Sequence, residues 1–466
     1  METKLPDRNI LARIDAAARD RLSPAHTALY WWGLLNIYLC LAQQFLNYIA
    51  NPLGLNKLTY ASMVLWVLIA IWVKKAPLRI PLSIGLVILL AVWFNICTVH
   101  AEATIARMTI FTAMDILLYV YAIAFMQAAC LVWFAPEVRR IIGRTIVGIC
   151  VLSSFVSFVQ FLNFGPAIEY ANLVRGNIEI VFIASGSAEE SIRSPGLFSN
   201  IGTAAVYGAL ISVVITTALE YRKLRWYEYV SVGMLALSTV LVQVRTILPL
   251  IAICFLYIAV RVIKTQGRAG ILGVSLAFLG VVGFFILRIE NFSYITGAGG
   301  ATMDFRQDVL WTQAWQIAEE RFWTGIGIEP AFAGWTTQVL PNKWVQITLI
   351  DSGYLIALCF GGFPGMLLLI LTCVASLTGS LRLLRAPDED GWHRAFKLLT
   401  FWLVLFFSLA LYWGTQWVNP AICAVYFILA GLSMPSIRSD LSDSKVTDVE
   451  RRALAEAPAI PKLSRY

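Results

Sequence analysis

Long apolar runs separated by short polar breaks extend from residue 27 almost to residue 434. A helix rises about 1.5 Å per residue, so about 20 apolar residues cross a hydrocarbon core about 30 Å thick. Runs of this kind fall near residues 27–49, 59–73, 81–99, 108–134, 145–163, 201–219, 228–242, 246–260, 269–287, 352–377, 398–413 and 418–434, and predict an all-α integral membrane protein of about twelve transmembrane helices. Only two connections are long, residues 164–200 and 288–350. They alternate with short turns in a way that puts both on the same face, and soluble chemistry has to reside there.

Three further elements follow from the pattern. Ile10, Ile14, Ala18 and Leu22 form one stripe, which predicts an interfacial helix in residues 1–26. The second long connection predicts an amphipathic helix from Asp304 to Trp323, with Trp311, Trp315, Ala318 and Phe322 on one side and Thr324-Gly325-Ile326-Gly327 ending it. Residues 435–466 are polar and have little to bury, which predicts a disordered tail after a membrane domain of residues 27–434.

Composition agrees: 59% of residues are apolar and 14% charged, against about 25% charged in soluble domains. Basic residues set the orientation, because basic loops resist translocation. The even-numbered connections hold sixteen Lys and Arg, among them Arg139, Arg140, Arg144, Arg261, Arg382, Arg385, Arg394 and Lys397; the odd ones, though much longer, hold nine. Both termini are therefore expected in the cytoplasm. The net charge of +8 follows from this bias and gives no case for nucleic acid. All eight cysteines fall in predicted spans and no CxxC pair occurs, so neither a disulfide framework nor a cysteine metal site is expected. His26, His100 and His393 stand apart in sequence, and no glycine-rich nucleotide loop is present.

Three arginines stand at the outer ends of predicted spans: Arg193, Arg245 in Gln243-Val244-Arg245-Thr246, and Arg306. A guanidinium there can simply snorkel to the interface. Its planar fork also suits a diphosphate, which it contacts bidentately, and several at one depth would stabilise a diphosphate as a leaving group. Asp351 opens the tenth span beside Ser352 and Tyr354; it is read either as a helix N-cap or as a general base, two roles that are compatible. Gly361-Gly362-Phe363-Pro364-Gly365 permits a close backbone approach or a bend in that span.

Arg193-x-x-Gly196-x-Phe198 leading into a span, Arg245 after a short outer turn, Arg306 followed by Trp311 and Gly325-Ile326-Gly327, then Asp351-Ser352-x-Tyr354 and Gly362-x-x-Gly365, resemble in this order the O-antigen ligase and polysaccharide polymerase superfamily over residues 145–380. The resemblance implies a GT-C-like glycosyltransferase of the bacterial inner membrane, working at the periplasmic face on undecaprenyl-diphosphate-linked oligosaccharides, without metal or other cofactor. It implies that Arg193, Arg245 and Arg306 bind the lipid diphosphate and that Asp351 acts on the acceptor, with Ser352 and Tyr354 as acceptor contacts. A flippase and a chain-length regulator are the implied protein partners. Ligases of the family usually present a His-Asn pair where this chain has Asp351-Ser352, so glycan polymerisation is expected ahead of ligation. A transporter or flippase of lipid-linked sugar is the rival from another class. It would bury ionisable groups at mid-membrane, where this chain offers little beyond Asp115.

Overall fold

A computed structural model describes residues 24–50, 55–74, 80–105, 113–175, 181–183, 190–192, 194, 196–198, 226–241, most of 256–279, 308, 311–327, 335–340, 343–347, 352–411 and 420–436. The framework is helical: α1 Pro24–Ala50, α2 Leu55–Lys74, α3 Leu82–Ile105, α4 Ala113–Phe134, α5 Val138–Phe161, α6 Gly165–Arg175, α7 Trp226–Leu241, α8 Thr312–Glu320, α9 Gly353–Arg385, α10 Gly391–Ala410 and α11 Pro420–Leu432. Two antiparallel hairpins, β1 Val181–Ile183 with β2 Glu190–Ile192 and β3 Trp335–Leu340 with β4 Lys343–Ile347, lie in the two long connections, where only helix and loop were expected.

Three helices among the described residues are long and apolar enough to cross a membrane: Leu82–Ala101 within α3, α5, and α9. Shorter apolar helices coincide with two further predicted spans, Leu58–Val73 and Leu118–Trp133. The predicted span at 201–219 lies outside the described residues, as do most of 246–260 and of 269–287, the predicted interfacial helix up to residue 23 and the tail from residue 437. Residues 24–26 already belong to α1, and α5 begins seven residues before the predicted span, taking in Arg139, Arg140 and Arg144.

The core runs through α1, α2, α3, α4, α9, α10 and α11, with Trp66, Tyr121, Phe94 and Phe396 fully enclosed and Tyr121 stacked on Phe427 at 5.3 Å. Its best-defined polar feature is at one end. Arg139, wholly buried, donates from Nε to Leu432 O at 2.8 Å, from Nη1 to Glu389 at 2.7 Å, and from Nη2 to Met434 O. Glu389 also accepts from Ser436 N at 2.7 Å, and Lys397 pairs with Asp388 and donates to Ala386 O at 2.8 Å. His393, isolated in sequence, is buried here: it accepts from Glu389 N at 3.2 Å through Nδ1 and donates from Nε2 to Ser433 O at 3.0 Å. The start of α5, the α9–α10 turn and the chain after α11 are thereby tied into one knot. Arg139 to Gln160 along α5 is a rise of about 30 Å, so the far end of α5 lies a bilayer's thickness away.

α9 and α10 leave the knot as an antiparallel pair of unequal length. At 33 and 20 residues they would rise about 50 Å and about 30 Å. Yet their far ends meet, with Gly353 N donating to Leu411 O at 2.8 Å. The excess is absorbed at Gly362, whose φ of 63° and ψ of −165° interrupt the helix. The lower leg exposes Leu367, Ile370, Leu371 and Val374 at helical spacing, a lipid-facing stripe, whereas residues 356–362 of the upper leg are all buried. From Arg382 to Gly362 is a rise of about 30 Å, the thickness of a hydrocarbon core.

Candidate functional site

Two seats are built at the end opposite the knot. The first begins as sequence: Ser153, Ser157 and Gln160 put three small or amide side chains on one face of the second half of α5, all buried. A neutral polar side chain inside a span needs partners, and here they are the main chain of Ser194, Gly196 and Leu197. Ser157 Oγ donates to Ser194 O at 2.7 Å; Gly196 N donates to Gln160 Oε1 at 2.8 Å and Gln160 Nε2 returns a bond to Gly196 O at 3.0 Å; Leu197 N donates to Ser153 Oγ at 2.9 Å. Tyr170 on α6 closes the loop by donating to Leu197 O at 3.1 Å, and its burial raises the phenol, which stays a donor. At φ +66°, Gly196 presses on the Ser153 main chain, where a Cβ would collide with the carbonyl, so only glycine fits.

Ser194 N also donates to Leu241 O, the last residue of α7, at 3.4 Å. Arg193 and Arg245 themselves lie outside the described residues. Their neighbours do not: the residue after Arg193 is bonded to the residue four before Arg245.

The second seat is the break in α9. An interrupted helix leaves main-chain groups without their usual partners, and in a membrane protein these must be met by protein. Residues 322–327 meet them. Phe363 N donates to Phe322 O at 2.6 Å, Ile326 N to Cys359 O at 2.8 Å and Gly327 N to Phe360 O at 2.9 Å, while Trp93 Nε1 of α3 donates to Gly361 O at 2.8 Å. Pro364 follows the break, where it has no N–H to leave unmet. Phe322 stacks on Phe363 at 5.4 Å with Trp323 edge-on at 6.2 Å, and Trp323 is largely exposed, as suits an indole at a membrane surface.

This seat corrects the expected amphipathic helix. Within the described residues α8 stops at Glu320 instead of Trp323, because the chain leaves the helix at Arg321 (φ −131°, ψ 43°) to reach α9. Its buried face is Ala314, Ile317 and Ala318, packed toward α9, and Trp315 points away and is half exposed, so the aromatic stripe is not the packed face. Arg306 lies outside the described residues, two residues before Asp308 on the approach to α8.

Asp351 also lies outside them, and the cap position of α9 falls one residue later. The N-cap is Ser352, buried, whose hydroxyl donates to Leu411 O at 3.3 Å instead of capping. Tyr354 donates its hydroxyl to Ser408 O at 2.7 Å. Both side chains thus anchor the upper leg of α9 to the end of α10, immediately after Asp351. Sequence reasoning missed the α5 stripe, although its signal was visible: Ser153, Ser157 and Gln160 recur at intervals of four and three in an apolar run.

The sequence matches no protein-family model, and no curated protein is similar enough to count as a match.

Proposed function

We propose that this protein is a membrane glycosyltransferase that polymerises glycans. It transfers an undecaprenyl-diphosphate-linked glycan to a sugar hydroxyl of another lipid-linked repeat unit, at the periplasmic face of a bacterial inner membrane. The observation that carries the reading is the bond between Ser194 and Leu241, which ties the chain next to Arg193 to the chain before Arg245. A guanidinium suits a diphosphate, which it contacts bidentately. In the reaction the acceptor oxygen forms a bond to the anomeric carbon as the bond from that carbon to the diphosphate oxygen breaks. The acceptor proton passes to Asp351, and the electron pair leaves with the diphosphate, whose charge Arg193, Arg245 and Arg306 stabilise.

A fold of about twelve spans of GT-C type with both termini in the cytoplasm accommodates this reaction. Its support is the knot: Arg139, Glu389 and Ser436 come from the fourth connection, the tenth connection and the chain after the last helix, all assigned by their basic loops to the cytoplasm. Both seats then face the periplasm. A flippase and a chain-length regulator are natural partners for such an enzyme.

One observation favours a second reading, a transporter of lipid-linked sugar, because such proteins use interrupted helices. The break in α9 differs from theirs in two respects. It lies at the boundary of the membrane, and the main-chain groups of Cys359, Phe360, Gly361 and Phe363 are met by residues 322–327 and Trp93.

Asp351→Asn is expected to lower polymer synthesis by about 10²- to 10⁴-fold. Arg193→Ala and Arg306→Ala should abolish it, with partial rescue by Lys, while single lipid-linked repeats accumulate. Long lipid-linked chains left unattached would instead identify a ligase or related oligosaccharide transferase, and full-length polymer in both alanine variants would refute the reading.

A further inference from the structure

The turn between α9 and α10 holds three carboxylates, and each is already committed. Asp388 pairs with Lys397 at 2.5 Å and with Arg394 at 3.7 Å, Glu389 pairs with Arg139, and Asp390 caps α10 by accepting from His393 N at 2.6 Å. Arg382 and Arg385, in the last turn of α9, are exposed and make no ion pair among the described residues. They continue the lipid-facing stripe of that helix. Leu371, Val374, Thr378, Leu381 and Arg385 follow one another at steps of three and four, with Arg382 beside Leu381, and all are exposed. Thr378 does not interrupt the apolar run, since its hydroxyl turns back to Val374 O at 2.9 Å. From Leu381 to Leu371 is a rise of about 15 Å, one leaflet's share of a hydrocarbon core about 30 Å thick.

We propose that this face of α9 is a site for an anionic phospholipid of the leaflet on the knot's side. Arg382 and Arg385 hold the headgroup phosphate, and the acyl chains lie along Leu381, the methyl of Thr378, Val374 and Leu371. The site requires only that α9 spans a membrane, so it stands apart from the glycosyl-transfer reading. Guanidiniums meet phosphate oxygens through charge-assisted bonds, and each cation at a leaflet surface favours an anionic lipid about 5-fold. Cations in the last turn of a helix also offset its dipole, a role that uses their charge and leaves the donors of the fork for a ligand. A second exposed pair at this end, Arg140 and Arg144 on α5, lacks the same setting. Glu137, also exposed, precedes Arg140 by three residues, and Gly148 leaves a gap in the apolar face next to Arg144.

The test uses the full-length protein in a neutral detergent, with native mass spectrometry giving Kd for dioleoyl phosphatidylglycerol and dioleoyl phosphatidylcholine. Wild type should bind phosphatidylglycerol about 30-fold more tightly than phosphatidylcholine. Arg382→Gln combined with Arg385→Gln should remove that preference and leave the phosphatidylcholine Kd unchanged. Equal affinity of wild type for the two lipids overturns the proposal. So does an equal loss in Arg140→Gln combined with Arg144→Gln, which would show diffuse attraction to a basic face. A phosphatidylglycerol carrying a diazirine in its acyl chain locates the site in wild type without any substitution. Its crosslinks should fall between Leu371 and Leu381, and crosslinks confined to other segments overturn the proposal whatever the variants do. A dimer that excludes phosphatidylglycerol from this stretch would assign the stripe to a second copy of the chain and overturn it as well.

Discussion

The two ends of α5 solve the same problem, holding distant chain to a helix in a membrane, by opposite means. At Arg139 the ties are charges: a buried guanidinium, Glu389, Asp388 and Lys397, each set against an opposite partner. At Gln160 the ties are neutral, made of hydroxyls, one amide and the main chain. Charged ties are strong and specific, but they saturate one another and leave no field for a ligand. Neutral ties hold a loop while adding no charge to it. The knot is thus suited to fixing architecture, and the α5 stripe to seating a loop without charge.

Breaking the knot should have the largest effect. Arg139→Ala leaves Glu389 half-buried without its counter-charge, and losing one partner of a buried pair costs about 3–5 kcal/mol. The melting midpoint in detergent should fall sharply, with activity per folded molecule retained. A midpoint near wild type would show the knot to be dispensable and dissolve the contrast.

Gly362→Ala is expected to come next. It puts a side chain at φ 63° and against Phe322 O, strain of about 1–3 kcal/mol. It should raise hydrogen exchange at Ile326 and Gly327 and reduce activity, while leaving the knot's amides, such as Ser436, protected.

The smallest effect, and the sharpest on the comparison, is in pH. Burial and the charges of Arg139 and Lys397 lower His393 to about 4, against the opposing pull of Glu389 and the bond to Ser433. Burial alone would raise Glu389, but Arg139 and Ser436 bring it down to about 2. Both are depressed in the folded state, so their contributions are present above the unfolded values and fade as pH falls. His393 loses its share from its ordinary value of 6.5 down to about 4, and Glu389 from 4.5 down to about 2. Melting midpoints should therefore decline below pH 6.5, and His393→Gln should flatten the upper part of the decline. Protection of the Gly196 and Leu197 amides, corrected for intrinsic exchange, should not vary over that window, because Gln160 and Ser153 accept from them.

What could be read from the chain divides along the same line. Apolar runs disclosed α1 to α5 and α7, and Gly361-Gly362-Phe363-Pro364-Gly365 disclosed a bend, since both are local properties. That residues 322–327 fill the bend was not legible, because main-chain bonds across some forty residues carry no side-chain signature. It also explains why α8 ends early. The knot was hidden for a different reason: Arg139 and Glu389 are 250 positions apart, and only their shared side, from the count of basic loops, hinted at a meeting. At the site, the residue types that attracted notice were arginines and an aspartate, whereas the groups that shape the seat are serines and an amide, common enough in spans to pass as filler.

The spacing of the knot along the chain has a consequence for biogenesis. Arg139 leaves the ribosome early, but its partners follow 250, 293 and 295 positions later. Until then the guanidinium has none of these partners, so the knot can form only after α11 has been made. The chain at the end of α11 closes the knot as a keystone does an arch, because Leu432 and Met434 supply two of the three acceptors of Arg139.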